Sequence, residues 1–173
     1  MKTLGVFSLS FVLGSAALAP GQRGKAVDTA GALTLLKNLK GEWKGNVITK
    51  DGPAATVRYQ LTSAGTTVME TLFPGTGEEM ISMYYMNGSE LSMKHFCAMG
   101  NQPETKLDLA SSTANELSFV FAGGSNFNPT KDTHMHDGKI RFVGLDEIES
   151  EWSVFQNGKQ TGTNRFFLKR VAK

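Results

Sequence analysis

The residues best suited to chemistry in this chain form two pairs, each with one residue between its members. His95 and Cys97 are one pair, and His134 and His136 are the other. Because side chains alternate along a β-strand, both members of a pair would point to the same face. Imidazole and thiolate are good ligands for transition metals. Zinc takes three or four protein ligands, so the three histidines would supply three and Glu70 or Cys97 could be the fourth. The pattern predicts a candidate metal site at His95, His134 and His136.

Each pair also has a simpler interpretation. His95 and Cys97 fit a buried histidine bonded to a hydroxyl beside an unreactive thiol. His134 and His136 are followed by Asp137-Gly138, a frequent hairpin turn, which would leave both histidines in a solvated loop. The sequence alone does not choose between these alternatives, so the presence of a metal cofactor and of catalysis stays undecided at this point.

Three further polar residues, Glu70, Tyr84 and Arg165, are expected on the apolar inner face of a sheet. Burying a carboxylate costs several kcal/mol unless it is paired or protonated. Glu70 is therefore expected to orient a polar ligand group, bind a metal or act as a base, unless it lies in water or is neutralised by Arg165. Methionine adapts to irregular apolar space, which suits a pocket wall. The predicted ligand-binding residues are Glu70, Tyr84, Met93, His95, Cys97, Trp152 and Arg165.

Composition and motifs exclude several classes of function. The chain has 173 residues and a formal net charge of +2, with charges interspersed, so nucleic acid is not an expected partner. No Ser-His-Asp order, phosphate-binding loop or dinucleotide fingerprint occurs in its required context. The one cysteine cannot form an internal disulfide, so stability must come from a hydrophobic core.

The N-terminus has the features of a secretory signal peptide, predicted over residues 1–19. Lys2 precedes a mainly apolar stretch, and small residues follow at positions 14–17 and 19, with cleavage after Ala17 as an alternative to cleavage after Ala19. The stretch is too short for a transmembrane helix, and no later segment is long and apolar enough to be one. We expect an exported, periplasmic or secreted soluble protein, with a flexible lead over residues 20–27 and a single domain over residues 28–173.

The domain is expected to be all-β. Asp28 is a plausible N-cap for one short amphipathic helix that carries leucines at helical spacing. About ten strand-like runs follow, with period-two alternation and short turns between them. Such runs without intervening helices predict an antiparallel up-and-down barrel.

Turn residues predict the register of four hairpins. Asn87-Gly88 would place Tyr84 opposite Leu91, and Ala64-Gly65 would place Tyr59 opposite Glu70. Asn157-Gly158 would place Arg165 opposite Ser150, facing inward. A three-residue loop over residues 145–147 would set Ile140 opposite Trp152.

The helix leading into Gly41-Glu42-Trp43-Lys44-Gly45, followed by a ladder of strands, resembles the calycin barrels: lipocalins, fatty-acid-binding proteins and nitrobindin-type barrels. In those families a late arginine packs near the tryptophan, a role open here to Arg165 or Arg170. The segments at residues 70–75, 95–103 and 134–136 resemble a family of exported bacterial calycin-like proteins of unknown function. The resemblance implies a calycin-like barrel and no known activity. Haem, which nitrobindin-type barrels bind, is not expected, because Val47 replaces their last glycine and no histidine follows His136.

The leading functional hypothesis is a barrel that holds a small apolar or amphipathic molecule in its interior. Barrels of this size hold one small ligand, in a pocket that is apolar apart from a few placed polar groups. A metal-dependent enzyme using the three histidines and a packed scaffold that binds a partner protein are the alternatives. The sequence names neither the ligand nor the oligomeric state.

Overall fold

Ten antiparallel strands close into a barrel in the computed structural model, which describes residues 24–172. Each strand pairs with its neighbours along the chain, and the last strand pairs with the first. This confirms the expected all-β barrel with one short N-terminal helix. The expected signal peptide lies outside the described residues. The elements are α1 (Thr29–Lys37), β1 (Gly41–Val47), β2 (Ala54–Thr62), β3 (Thr67–Leu72), β4 (Met80–Asn87), β5 (Glu90–Phe96), β6 (Gln102–Leu107), β7 (Glu116–Ser125), β8 (His134–Phe142), β9 (Glu147–Gln156) and β10 (Lys159–Arg170).

Helix α1 covers one end of the barrel. The Asp28 carboxylate accepts a hydrogen bond from the Gly31 backbone N–H at 2.7 Å, which confirms Asp28 as the N-cap. The buried side of the helix carries Ala32 and Leu36, both without exposed surface. The helix therefore closes this end, which we call the helix end, and contributes to the core.

The residues just before the helix are held in place, although a flexible lead is expected over residues 20–27. Ala26 forms an isolated antiparallel bridge with Thr113, and the Ala114 N–H donates to the Lys25 carbonyl at 2.8 Å. Val27 packs against the core. The described part of the lead, from residue 24 onwards, is thus paired with the β6–β7 connection.

An arginine joins the last strand to the first strand and to the helix. The Arg170 guanidinium lies 4.3 Å from the centroid of the Trp43 ring. It also donates to the carbonyls of Asn38, Leu39 and Lys40, which lie past the C-terminus of α1 and have no helical partner. Of the two arginines expected for this role, Arg170 fills it.

The opposite end of the barrel, which we call the distal end, carries five connections: β1–β2, β3–β4, β5–β6, β7–β8 and β9–β10. Two of these connections begin with strained residues, Ile48 with φ of 72° and Phe73 with φ of 52°. Ile48 and Met99 are each 60% exposed, and Val47, Phe73 and Met80 are partly buried. The distal end therefore carries both exposed and partly buried apolar side chains.

The core runs through the barrel from α1 to the middle of the sheet. Its largest buried side chains include Trp43, Tyr59, Tyr84, Phe119 and Met93. No helix among the described residues is long and apolar enough to cross a membrane.

Three of the four predicted hairpins keep the expected faces. The Tyr59–Glu70 pairing is confirmed. In the β4–β5 hairpin the turn is Gly88-Ser89, so Tyr84 lies opposite Met93 and not Leu91. Across the β8–β9 connection Ile140 lies opposite Ser150 and not Trp152. Both of these errors shift the partner by two residues, and the inward and outward faces are unchanged because the side-chain period is two.

The fourth hairpin is wrong in a way that changes a candidate site residue. The Asn157-Gly158 turn forms, but a register shift between Gln160 and Gly162 moves the later pairs by one residue. Arg165 therefore lies opposite Glu151 rather than Ser150. A one-residue slip sends each following side chain to the other face, so Arg165 points outward.

Candidate functional site

The main polar cluster inside the barrel is built around Glu70 on β3. Tyr59 on β2 donates to one carboxylate oxygen at 2.6 Å, and Tyr84 on β4 donates to the other at 3.0 Å. Glu70 is 4% exposed and the two tyrosines are 1% and 0% exposed. Alternation along three adjacent strands turns all three side chains inward. The sequence placed Glu70 and Tyr84 here, whereas the role of Tyr59 as a second donor appears only in the structure.

Burial controls the ionisation of this cluster. Desolvation raises the pKa of the Glu70 carboxyl, while hydrogen bonds from Tyr59, Ser82 and Tyr84 act in the opposite direction. Burial, with the charge of the neighbouring Glu70, raises the pKa of both tyrosines well above the usual value. Both phenols are therefore hydrogen-bond donors at neutral pH.

His95 lies beside this cluster on β5. Its Nδ1 atom is 3.0 Å from the Ser82 hydroxyl, and Ser82 is the cross-strand neighbour of both His95 and Glu70. His95 is 4% exposed, and burial lowers its pKa to about 4, so the imidazole is neutral at pH 7. The predicted pairing of a buried histidine with a hydroxyl is therefore present.

The apolar wall around the cluster contains the other inward candidates. Met93 has no exposed surface, and Trp152 is 6% exposed and packs on Phe119 with ring centroids 6.0 Å apart. The Trp152 ring lies against Gly138, where an added Cβ would be 2.0 Å from a ring carbon. Gly138 is thus a strand residue that makes room for Trp152, and not part of a hairpin turn.

Cys97 lies towards the distal end. Its Sγ atom is 3.9 Å from the Met80 Sδ atom, and both side chains are partly buried. The thiol therefore faces the same side as His95, as expected, with a thioether as its polar contact.

Arg165 does not belong to the interior cluster, so its predicted inward position is wrong. Its guanidinium donates to Glu151 at 2.7 Å on the outer wall, and its side chain is 52% exposed. The buried residues of the described chain include no lysine or arginine. The Glu70 carboxyl therefore has hydroxyl donors around it and no buried cation.

The three histidines do not form one set of metal ligands. His95 is bonded to Ser82, whereas His134 and His136 lie in an aromatic cluster at the distal end of β8, with ring centroids 5.6 Å apart. Within residues 24–172, no three His, Cys, Asp or Glu side chains are close enough to hold a metal ion. β8 begins at His134, so the histidine pair is on a strand and not in the loop that an Asp137-Gly138 turn would produce.

Several buried polar atoms near β6 and β8 were not anticipated from the sequence. Asn101 Oδ1, Thr105 Oγ1 and His134 Nε2 are buried without a hydrogen-bond partner. Asn101 Nδ2 donates to the Thr133 carbonyl at 2.8 Å, which ties the β5–β6 connection to the start of β8. Asn101 belongs to the segment 95–103 quoted for the family resemblance, which is the one signal that could have drawn attention to it.

Clefts are present on the outer wall of the barrel. One of about 280 Å³ is lined by residues of β8, β9 and β10, including Arg141, Glu149 and Arg165. Another of about 400 Å³ contains Lys44, Lys50 and Phe167. These clefts are bordered by charged side chains, unlike the mainly apolar interior.

Opposite pH dependences are expected for the two ionisable groups of the interior. The folded pKa of His95 is below its unfolded value near 6.5, so the unfolded chain binds more protons between about pH 4 and 6.5. The free energy of unfolding should therefore fall as the pH is lowered through this window, by up to about 3 kcal/mol. The folded pKa of Glu70 is raised, so its contribution is present at low pH and is lost as the pH rises above its unfolded value of 4.5.

The two effects can be separated with single variants measured by urea unfolding from pH 4 to 8. In Glu70→Gln only the His95 effect remains, so the free energy of unfolding should rise with pH. In His95→Gln only the Glu70 effect remains, so the free energy of unfolding should fall as the pH rises. Identical pH profiles for both variants would contradict this assignment.

Comparisons with known proteins support the fold. No family model matches the chain, and no curated protein matches it. Among solved structures, it is similar to a protein of unknown function from the DUF3598 family of Nostoc punctiforme, with 17% sequence identity and a TM-score of 0.53. The match covers 79% of this chain and 48% of the other, so the chain spans about half the length of that protein. What is shared at this level is a barrel fold, which is compatible with the calycin-like architecture.

Proposed function

We propose that this protein is an exported carrier that binds a small, mainly apolar molecule through the barrel interior, entering at the distal end. The observation that supports the proposal is the Glu70 cluster: a carboxyl buried in an apolar barrel with two tyrosine donors and no buried cation. Burying a carboxyl and an imidazole costs free energy that an ordinary core does not spend, and a ligand with a polar end offsets that cost. Export is supported by the signal-like residues 1–19.

The chemistry around Glu70 favours a particular kind of ligand head group. A carboxylate accepts up to about four hydrogen bonds; Tyr59 and Tyr84 supply two, and Ser82 lies beside Glu70 as a third donor. The remaining capacity suits a donor, such as an alcohol or an amine. A fatty-acid carboxylate would meet Glu70 without a cation to bind it, since Arg165 lies on the outer wall. The proposed ligand is therefore an amphipathic molecule with a donor head group.

The distal end supplies the route and the adaptable wall. Met80 and Phe73 are partly buried there, and Met93 lies deeper beside Tyr84. Methionine side chains change shape at little cost, which allows a pocket to form around a ligand. A ligand would pass Met80 and Cys97 before its head group reaches Ser82, His95 and Glu70.

The test is displacement of an apolar fluorophore from the mature protein by an alcohol, an amine and a carboxylic acid of equal chain length. The acid should bind at least about tenfold more weakly than the alcohol, because like charges placed together cost several kcal/mol. The discrimination should increase with pH as Glu70 ionises. Glu70→Gln should abolish it, and Met93→Phe should weaken binding of all three.

Glu151→Gln is the matched control, because Glu151 is a carboxylate on the outer wall paired with Arg165. It should leave the preference unchanged. Tightest binding of the acid, or no effect of Glu70→Gln, would contradict the proposed head-group preference.

A scaffold that binds a partner protein is the second candidate, supported by the outer-wall clefts of β8, β9 and β10. A scaffold should show no saturable binding of the fluorophore, and Met93→Phe should not change its binding of the partner protein. Failure of all three ligands to bind would favour this function over the carrier.

A further inference from the structure

Two histidines at the distal end of β8 are packed among phenylalanines in what we call the rim cluster: Phe121, Phe127, His134, His136 and Phe155. The His136 ring is stacked between Phe121 and Phe155, at centroid distances of 4.3 and 3.9 Å. The His134 ring lies 4.8 Å from Phe127 and 5.1 Å from Phe121. Both imidazoles therefore have fixed positions before any ligand arrives.

His134 has one nitrogen that is held and one that is free. Its Nδ1 atom lies 2.9 Å from the Asp132 carbonyl oxygen. A carbonyl can only accept, so Nδ1 carries a hydrogen, and in the neutral form of this ring the lone pair is on Nε2. Nε2 is buried without a partner, and the residue has no exposed surface. Proteins orient metal-binding histidines in this way, with one ring nitrogen donating to a carbonyl and the other left for the metal.

His136 provides a second imidazole within reach of the first. Its Nδ1 atom is 3.1 Å from Asp137 Oδ1, close enough for an ion pair but without the geometry of a hydrogen bond. The same carboxylate oxygen accepts the Phe121 N–H at 2.7 Å, which fixes its position. The His136 side chain is 21% exposed, so an ion can reach this ring from solvent.

The spacing of the two rings fits a single bound ion. With metal–nitrogen distances of about 2.0–2.1 Å, an ion bound through Nε2 lies about 3.2 Å from each ring centroid, so two centroids on one ion can be up to about 6.4 Å apart. The observed separation is 5.6 Å. The separation of the two rings is therefore within the range that one shared ion allows.

We propose that His134 and His136 bind a divalent transition metal ion through their Nε2 atoms. The Asn101 amide oxygen, which is buried without a partner, is the third donor that we propose, since the Asn101 amide nitrogen is bonded to the carbonyl of Thr133, next to His134. Nitrogen and oxygen donors of this kind suit Cu²⁺ and Zn²⁺, with Cu²⁺ bound more tightly. The remaining positions are open to water. The site is separate from the Glu70 cluster and does not depend on ligand binding there.

In the experiment, the metal-free mature protein is titrated with Zn²⁺ alone, and the heat of binding is measured by isothermal calorimetry. One ion should bind per chain. His136→Phe, which keeps an aromatic ring in the stack, and His134→Gln should each weaken binding by at least about tenfold. His95→Gln is the matched control, because it removes the third histidine, and it should leave the affinity unchanged.

A second measurement identifies the donor atoms. Cu²⁺ bound to the Cys97→Ser protein, which lacks a reactive thiol, should give a paramagnetic resonance spectrum with two imidazole nitrogens, and one in each histidine variant. If His134→Gln does not fold, the His136→Phe result alone tests the proposal. His136 is partly exposed, so its substitution should be tolerated by the fold. Absence of Zn²⁺ binding, equal weakening by His95→Gln, or an unchanged affinity in His136→Phe would overturn the proposal.

Discussion

Replacing Gly45 with alanine should open the barrel where its first and last strands meet. Gly45 on β1 pairs with Leu168 on β10, and an added Cβ would lie 1.8 Å from the Phe167 carbonyl oxygen. The obstacle is backbone and not the end of a flexible side chain, so β1 and β10 must separate. We expect Gly45→Ala to cost at least about 4 kcal/mol of unfolding free energy, among the largest effects of single substitutions. Urea unfolding and the thermal midpoint measure the loss.

Gly162→Ala on β10 is the matched control. An added Cβ at Gly162 meets nothing within 4 Å. Its effect should stay within about 1 kcal/mol, because alanine there changes mainly the entropy of the unfolded chain. A Gly45→Ala protein with the stability of the Gly162→Ala protein would show that the barrel does not close as described.

Replacing Glu70 with leucine should be the second large effect. The substitution leaves the Tyr59 and Tyr84 hydroxyls buried without their acceptor. An unsatisfied buried polar group costs about 1–3 kcal/mol, so the two hydroxyls together should cost about 2–6 kcal/mol. The loss should appear in urea unfolding at neutral pH.

The triple variant Tyr59→Phe/Glu70→Leu/Tyr84→Phe separates the cost of orphaned hydroxyls from the contribution of the cluster itself. Removing all partners of a buried polar network with apolar residues of similar shape is often neutral or stabilising. We expect the triple variant to recover most of the stability lost in Glu70→Leu. A triple variant that is less stable than Glu70→Leu would mean that the cluster stabilises the barrel directly, and would remove the energetic argument for a ligand-binding role.

The sequence was sufficient for the architecture because alternation is local. The inward positions of Tyr84, His95 and Cys97 follow from period two along β4 and β5, continued to Cys97 just after the end of β5. These positions are correct although the β4–β5 turn was predicted one residue too early, because that error changes each cross-strand partner by two residues and leaves the faces unchanged. The Asp28 cap and the Gly-x-Trp opening are also local patterns, and both led to the observed helix and first strand.

Arg165 shows where local reasoning fails. The Asn157-Gly158 turn predicts a regular ladder, and Gly162, a residue type frequent at β-bulges, is the one local sign of the irregularity that moves the register by one. That shift decides whether an arginine neutralises Glu70 in the interior or pairs with Glu151 outside. The charge of the candidate ligand site therefore depends on a strand irregularity and not on composition.

By itself, the sequence determined which residues alternate inward on most strands and that a carboxyl, phenols and an imidazole would share the interior. The Ala64-Gly65 turn also predicted that Tyr59 lies opposite Glu70, and the tertiary structure decided the other contacts of these groups. Tyr84 reaches Glu70 from β4, while His95 is held by Ser82 and stays apart from His134 and His136. The physical reason is that alternation fixes the direction of a side chain within one strand, whereas register shifts and barrel closure fix its height and its neighbours from distant parts of the chain.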